Sequence, residues 1–252
     1  MTALPPGSVI GILGGGQLGR MLAIAAARLG YRTCVFDLDP GAPAAQVANR
    51  HVVVSYSDTE ALRAFANDCA VVTYEFENVP VEAARLVESI VPVRPGPKAL
   101  EAAQDRLVEK TFLNNAGIAT APFRAVDSDT GIAAALEEFG GSGVLKTRRI
   151  GYDGKGQRVF RSASPQAYDG AFADLGSVPL ILEGFVPFVR EVSVIAARSL
   201  NGNFAGYDVA ENVHRNGILH TSTVPAAVSG ATAEAALSAA RRILDALDYV
   251  GV

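Results

Sequence analysis

The sequence predicts an α/β protein with a parallel-sheet domain over residues 1–97, followed by an α+β domain over residues 98–252. Three observations lead to this prediction. Short apolar runs alternate with helix-like segments in the first part, as in a parallel sheet covered on both faces. A Pro-Gly-Pro joint follows at 95–97. Beyond it, short runs alternate polar and apolar residues, which is typical of antiparallel strand pairs.

The elements of the first part follow one another with short turns. Gly30 gives a helix stop, acidic residues begin the second helix, and Pro80 opens the third. We expect the following order: strand 8–13, helix 21–30, strand 31–39, a turn at 40–49, strand 50–56, helix 58–68, strand 69–77 and helix 80–89.

The second part begins with a helix and continues with hairpins. We expect a helix from about Ala99 to Asn115, strands at 123–126, 143–149, 157–162, 179–185 and 190–199, and a helix at 231–248. The last four residues, "YVGV", have the composition of a strand start. Because termini usually fray or lie at the surface, we expect the chain to be a fragment of a longer protein.

The composition excludes several classes of protein. A net charge of −4 provides no basic field for nucleic acid or for a membrane surface, and no apolar run is long enough to span a bilayer. The N-terminus has no signal-peptide pattern. Cys34 and Cys69 lack metal-ligand spacing, so we expect reduced, buried thiols in a cytoplasmic protein.

The first glycine cluster is compatible with two kinds of turn. Gly14, Gly16 and Gly19 match G-x-G-x-x-G between a strand and a helix, and Asp37 lies 18 residues further on, where an acid could bind ribose. An NAD-dependent oxidoreductase is therefore one alternative. The other is a tight turn in a Rossmann-like domain that binds no dinucleotide, whose helix N-terminus could still receive a substrate phosphate.

The second glycine cluster lies between two strands, so it is not a Walker A loop. Gly151, Gly154 and Gly156 exceed what an Asp-Gly hairpin turn requires. Several glycines let backbone N–H groups converge on an anion, and Lys146 and Lys155 add positive charge. We expect a mobile loop that covers phosphates.

Two glutamates lie where strands end or begin. Glu183 ends an apolar strand and is followed by Gly184, so the chain there could hold a flat base through its polar groups. Glu191 begins the next strand and could bind ribose hydroxyls. The alternative is that both are solvated strand ends.

Together these segments resemble a known family. The order "QDR…LKTRRIGYDGKGQ…LEGFVPFVREVSV" is similar to ATP-grasp ligases, and "GILGGGQLGRM" with "TYEFENVP" resembles the 5-(carboxyamino)imidazole ribonucleotide synthetases of purine biosynthesis. The resemblance extends over residues 9–252. It implies that bicarbonate is joined to the amine of 5-aminoimidazole ribonucleotide through carboxyphosphate, with ATP converted to ADP and phosphate. Formate-dependent glycinamide ribonucleotide transformylase and biotin carboxylase are the rivals within the ligases.

The resemblance also implies the site residues. Arg106 and Lys146 would contact the ATP phosphates and act in catalysis. The expected ATP-binding set is Arg106, Lys146, Gly151, Tyr152, Asp153, Gly154, Lys155, Gly156, Gln157, Glu183, Gly184, Phe185, Val186, Glu191 and His214. The expected set for the ribonucleotide substrate is Gln17, Leu18, Glu75, Tyr152, Asp153 and Lys155.

The remaining implications concern the domains, the metal and the partners. Residues 120–183 would form a lid subdomain, and 184–252 an incomplete C-terminal subdomain. Family members continue beyond Val252 with the carboxylates that hold Mg²⁺, so we expect no metal ligands in this chain. The chain alone would then bind nucleotide weakly or not at all and be inactive, a non-catalytic fragment being the third alternative. We expect a homodimer whose product passes to a mutase.

Overall fold

A computed structural model describes residues 3–151, 156–161, 167–215 and 217–252. The chain forms two compact units. Unit 1 comprises residues 1–101, 197–204 and 244–252, and unit 2 comprises residues 102–196 and 205–243.

Unit 1 is built on a parallel sheet. Its strands and helices are β1 (Val9–Leu13), α1 (Gln17–Arg28), β2 (Arg32–Phe36), a 3-10 helix (Pro43–Gln46), β3 (Arg50–Val52), α2 (Thr59–Asn67), β4 (Val71–Tyr74), α3 (Val81–Glu88) and most of α4 (Pro97–Ala103). The strand order is β3-β2-β1-β4, and all three pairings are parallel. The prediction of a parallel α/β domain is therefore confirmed.

The order of this sheet determines where its loops can form a site. The chain leaves β1 for β2 on one side and returns to β4 on the other, so the order reverses beside β1. Ligands of such sheets bind outside the carboxyl ends of the strands at this point of reversal. The loops after β1, β2 and β4 begin there. A buried core that includes Leu13, Phe36, Phe65 and Val72 supports them.

Unit 2 contains the hairpins. Its elements include α5 (Arg106–Asn115), β5 (Phe123–Val126), α6 (Asp129–Glu138), β6 (Gly143–Thr147), β7 (Gln157–Phe160), α7 (Ala171–Asp174), β8 (Leu180–Gly184), β9 (Glu191–Ser193), β12 (Ala210–Arg215) and β13 (Ile218–Thr223). Besides α4, three elements have residues in both units: β10 (Ala196–Arg198), β11 (Phe204–Gly206) and α8 (Gly230–Ala246).

Two antiparallel sheets organise unit 2. The first has the order β5-β8-β6-β7, and the second has the order β13-β12-β9. The first sheet packs on a core of its own, in which Ile132, Leu145, Leu180 and Leu182 are fully buried or nearly so. The predicted α+β character of this part is confirmed.

The structure corrects the predicted elements in three places. The helix expected from Ala99 to Asn115 is two helices, because the Asp105 side chain accepts the Leu107 N–H and starts a new helix after Ala103. The strand expected at 190–199 is two short strands, β9 and β10. Helices α6 and α7, strand β11 and the β12–β13 hairpin were not predicted. The apolar pattern of β12 and β13 is weak, and all their residues are partly or fully exposed.

Candidate functional site

A cluster of charged side chains lies between α5 and the first sheet of unit 2. Arg106, Glu109 and Lys110 are spaced i, i+3 and i+4, so they share one face of α5. Lys146 and Glu183 come from the neighbouring strands β6 and β8. Val144 pairs with Glu183 and Lys146 with Ile181, which makes Lys146 and Glu183 diagonal neighbours on one face of the sheet.

Glu183 is the centre of this cluster. Its Oε2 lies 3.1 Å from Lys146 Nζ and 3.2 Å from Lys110 Nζ. Only 10% of the Glu183 side chain is exposed, against 15% for Lys110 and 26% for Lys146. A carboxylate this far from water needs cationic partners, and here one oxygen has two. The alternative that Glu183 is a solvated strand end is therefore wrong.

Glu109 adds a second carboxyl group to the same region. Although the residue is largely exposed, protein atoms packed around its carboxyl group raise its pKa above the usual value. The neighbouring Lys110 and Arg106 act in the opposite direction, and Glu183 in the same direction. The charges on α5, β6 and β8 thus form one interacting group.

Arg106 binds the chain that follows β6. Its guanidinium group donates to the carbonyl oxygen of Thr147 at 2.9 Å and to that of Gly151 at 3.0 Å. The Thr147 N–H in turn donates to the carbonyl oxygen of Gly156. Arg106 therefore holds both the entry and the first residue of the glycine-rich loop.

Asp105, the residue before Arg106, also anchors the start of this loop. It forms a bidentate ion pair with Arg148, at 2.9 and 2.7 Å, and its Oδ2 lies 3.6 Å from Arg149 Nε. Burial of the carboxyl group acts to raise its pKa. Hydrogen bonds from Arg148 and from the Leu107 N–H outweigh that effect, so the pKa of Asp105 lies below its usual value.

The predicted loop is only partly described. Gly151, Gly156 and Gln157 are placed, whereas Tyr152, Asp153, Gly154 and Lys155 lie outside the described residues. A cavity of about 460 Å³ adjoins the start of the loop. It is lined by Asp105, Thr147, Arg148, Arg149, Ile150, Val178 and Pro179.

The chain at the end of β8 has fewer free backbone N–H groups than the sequence indicates. The Gly184 N–H donates to Pro122 O at 2.8 Å, and the Phe185 N–H to Ser142 O at 3.4 Å. A Cβ on Gly184 would lie 2.7 Å from Pro122 Cγ, so this close approach requires glycine. Val186 is exposed, and the Arg161 guanidinium lies 4.3 Å from the Phe185 ring centroid, within cation–π range.

Glu191 and His214, far apart in sequence, meet in the second sheet of unit 2. Glu191 is on β9 and His214 on β12, and the Nδ1 of His214 lies 2.9 Å from Glu191 Oε2. An ionised carboxylate only accepts, so the histidine Nδ1–H is the donor. This contact fixes the orientation of both side chains on the sheet.

The first glycine cluster, in unit 1, is filled by carboxylates of the protein itself. Glu75, directly after β4, accepts the N–H groups of Gly16 and Gly19, both at 2.6 Å. A Cβ on Gly16 would lie 2.6 Å from Glu75 Oε1, so only glycine permits this contact. Asp37 accepts the Gly15 N–H at 2.7 Å. The donors that a dinucleotide would use are thus already bound, and Asp37 is not free for a ribose.

Gln17 and Leu18 occupy the first turn of α1. Both are exposed, and 58% of Leu18 is accessible. They therefore lie beside the Glu75 contacts, at the end of the sheet where the order of strands reverses.

The two cysteine side chains show no sign of activation. Cys34 is buried, Cys69 is half-buried, and both are free thiols. Burial raises the pKa of both thiols, that of Cys69 to about 12. Among the residues that the structure describes, no three His, Cys, Asp or Glu side chains are grouped as metal ligands, and no helix has the length and apolarity to span a membrane.

Sequence reasoning missed Asp105, Glu109 and Lys110. Their signal is the i, i+3, i+4 spacing from Arg106 and the capping Asp directly before it. That pattern could have been found, but its partners could not, because Asp105 meets Arg148 across 43 positions of the chain and Lys110 meets Glu183 across 73.

Comparison with family models divides the chain between two descriptions. Residues 111–252 match the ATP-grasp domain, and residues 8–104 match the ribonucleotide synthetase preATP-grasp domain.

Individual proteins are similar over nearly the whole chain. An N5-carboxyaminoimidazole ribonucleotide synthase of Brucella melitensis is 59% identical over 251 residues, which cover 100% of this chain and 69% of that protein. A crystal structure of an ADP complex of purK, N5-carboxyaminoimidazole ribonucleotide synthetase, has a TM-score of 0.91 and 41% identity, covering 98% of this chain and 65% of that one.

The crystal structure of a third similar protein contains two ligands. The Aspergillus clavatus N5-carboxyaminoimidazole synthase in complex with ADP and 5-aminoimidazole ribonucleotide has a TM-score of 0.84 and 32% identity. The match covers 97% of this chain and 64% of that one. This chain thus spans about two-thirds of the length of the proteins it matches.

Proposed function

This chain belongs to the N5-carboxyaminoimidazole ribonucleotide synthase family, and we propose that it binds ATP and 5-aminoimidazole ribonucleotide for the ATP-dependent carboxylation of that ribonucleotide. The observation that carries the proposal is the buried contact of Lys146 and Glu183, beside a glycine-rich loop whose start is held by Arg106. Cations and a glycine-rich loop suit phosphates, and a buried carboxylate suits a base.

In the proposed reaction, a bicarbonate oxygen attacks the γ-phosphorus of ATP, the bond to ADP breaks, and carboxyphosphate forms. Carboxyphosphate releases carbon dioxide and phosphate, and the exocyclic amine of the ribonucleotide bonds to the carbon and loses a proton. This reaction requires little covalent participation by protein side chains. The protein's contributions are positive charge on the phosphates, orientation, and exclusion of water.

We propose the following roles, which the positions of the described side chains support. Lys146 and Arg106 neutralise phosphate charge, and residues 151–157 cover the phosphates. Glu183 accepts a hydrogen bond from the adenine amino group, and residues 184–186 lie beside the base. The burial of Glu183 supports this role. Glu191 receives the ribose hydroxyls, oriented by His214.

For the ribonucleotide substrate we propose a site in unit 1 around Gln17, Leu18 and Glu75. The carboxylate of Glu75 is held by two backbone N–H groups at the end of β4, where sheets of this kind bind ligands. Tyr152, Asp153 and Lys155 would complete the substrate contacts from the loop. Magnesium would accompany ATP, and we assign it no ligand among the described residues.

The proposed context is a biosynthetic one. Bicarbonate is the second substrate, the protein acts as a homodimer in the cytoplasm, and a mutase takes up the product. A rearrangement of the carboxylated amine is the class of reaction that would use it.

Thermal unfolding with ATP and magnesium ions, compared with NAD, tests the nucleotide site. A ligand at about 100 times its Kd stabilises by roughly 2.7 kcal/mol, so even millimolar affinity gives a shift at high concentration. We expect ATP to raise the Tm and NAD to have no effect. Lys146→Met should reduce the ATP shift, whereas Lys98→Met, at an exposed lysine in unit 1, should not.

A shift with NAD and none with ATP would overturn the proposed function. Stabilisation by 5-aminoimidazole ribonucleotide, compared with glycinamide ribonucleotide and with biotin, tests the substrate. A larger effect of either competitor would assign the chain to another ligase activity.

A further inference from the structure

Two lysines contact the same oxygen of the buried carboxylate. Lys110 Nζ and Lys146 Nζ lie 3.2 and 3.1 Å from Glu183 Oε2. Lys110 comes from α5 and Lys146 from β6, so the two cations reach the oxygen from different elements. One salt bridge would satisfy the charge of Glu183, and the second requires an explanation.

The explanation begins with the cost of leaving Glu183 unpaired. Breaking a buried ion pair by removing one partner is strongly destabilising, because the remaining charge has neither water nor a counterion. If Lys146 were the single partner, its move to a phosphate would leave Glu183 in that state. Part of the binding free energy of the nucleotide would then be lost.

We propose that Lys110 is a positioning residue, which keeps Glu183 paired and so leaves Lys146 free to contact the phosphates of the nucleotide. This inference rests on the proposed function, in which Lys146 binds phosphate. Lys110 does not itself need to reach the nucleotide. Its neighbours on α5 fit this role: Arg106 is bound to the loop carbonyls, and Lys110 and Arg106 both act on the Glu109 carboxyl group.

Lys110 and Lys146 also differ in burial and in their position within α5 and β6. Lys110 is the more buried, with 15% of its side chain exposed, and it projects from the middle of a helix. Lys146 has 26% exposed and lies next to Thr147, where β6 ends and the glycine-rich loop begins. Lys146 is thus the partner better placed to move, and Lys110 the one better placed to stay.

The first test needs no nucleotide. Lys110→Met and Lys146→Met each leave Glu183 one cation, so each should lower the folded-to-unfolded ratio much less than removal of both cations does. The double variant leaves none and should lower the ratio by more than about a hundredfold. Adding Glu183→Gln to the double variant removes the unpaired charge and should restore much of the loss. Additive effects of the single variants would overturn the shared pairing.

The second test measures nucleotide affinity in the full chain. In Lys110→Met, Lys146 has to remain on Glu183, so ATP affinity should fall about ten- to a hundredfold, which is the loss of one charged hydrogen bond. Adenosine, which has no phosphate, should bind as it does to the wild type. Lys110→Arg should retain ATP affinity, and Lys98→Met serves as a control outside the cluster.

The outcomes separate this inference from the proposed function. If the wild type binds ATP and Lys110→Met binds it equally well, the inference fails and the proposed function stands. An equal loss for adenosine and ATP would also overturn it, since Lys110 would then act on the base or on the fold. If the wild type binds no ATP at any concentration, both fail.

Discussion

Asp105 accepts three hydrogen bonds, from two partners. It begins α5 by accepting the Leu107 N–H, pairs with Arg148 through both oxygens, and thereby places Arg106 next to the loop. Only 8% of its side chain is exposed, so its charge depends on these partners. A residue that sequence reasoning passed over therefore determines where a predicted catalytic side chain lies.

We expect replacements of Asp105 to separate capping from ion pairing. Asp105→Asn keeps the cap, because Asn is as good an N-cap as Asp, and should cost about 1–3 kcal/mol for the lost charged hydrogen bonds. Asp105→Ala loses the cap as well and should cost about 1 kcal/mol more. Urea unfolding near neutral pH measures both, and equal losses would show that the cap contributes nothing.

The same pair predicts a pH dependence. The pKa of Asp105 is lowered in the folded protein, so its stabilisation is complete above the unfolded pKa of about 4 and is lost as pH falls through the folded value. The Asn variant does not titrate there. The difference in stability between wild type and Asp105→Asn should therefore shrink below about pH 4, and a constant difference would contradict the assignment.

At the scale of elements, the start of α1 is stabilised from a distant strand. Helix α1 has no side-chain cap of its own, since Gly16 occupies the N-cap position. Glu75, at the end of β4, supplies the missing acceptor and places negative charge at the positive end of the helix. The residue after β4 thereby holds the first turn of α1, the helix that follows β1.

We expect Glu75→Gln to weaken this junction by about 1–3 kcal/mol, because an amide has one acceptor oxygen for two N–H donors and no charge. Glu82→Gln, in α3, removes an exposed glutamate that pairs with Arg85 and should change stability by less than about 0.5 kcal/mol. Denaturant unfolding compares the two variants. Equal effects would mean that the Glu75 contacts contribute no more than a surface ion pair.

At the scale of the molecule, each unit has a buried core of its own. Phe65 is completely buried in the core of unit 1, and Leu145 is completely buried in that of unit 2. The charged cluster around Glu183 belongs to unit 2 and the Glu75 contacts to unit 1. A ligand of one site should therefore stabilise the core that supports that site.

We expect calorimetry to resolve two unfolding transitions. Phe65→Ala should lower the free energy of unfolding of unit 1 by about 3–5 kcal/mol, and with it the Tm of one transition. Leu145→Ala should lower that of unit 2 by about 2–5 kcal/mol, and with it the Tm of the other. An adenine nucleotide should raise only the transition that Leu145→Ala lowers. A single transition that moves equally in both variants would contradict this expectation.

The sequence alone determined the architecture and most of the candidate site. Apolar runs set the strands, glycine and proline marked most of the turns, and three motifs together identified the family, because these signals depend on neighbours within one segment. Lys146, Glu183, Glu191 and His214 were selected in the same way. The contacts of Lys146 with Glu183 and of Glu191 with His214 were not predicted.

Only the tertiary structure decided which charges meet. Lys110 joins Glu183 across 73 positions of the chain, Glu75 reaches back to Gly16 across 59, and Asp105 binds Arg148 across 43. None of these contacts leaves a local periodicity, because each arises where separate strands and helices end beside one another. The first glycine cluster illustrates the same limit. Its spacing permits a dinucleotide, but carboxylates that the fold brings to it already bind the N–H groups of Gly15, Gly16 and Gly19.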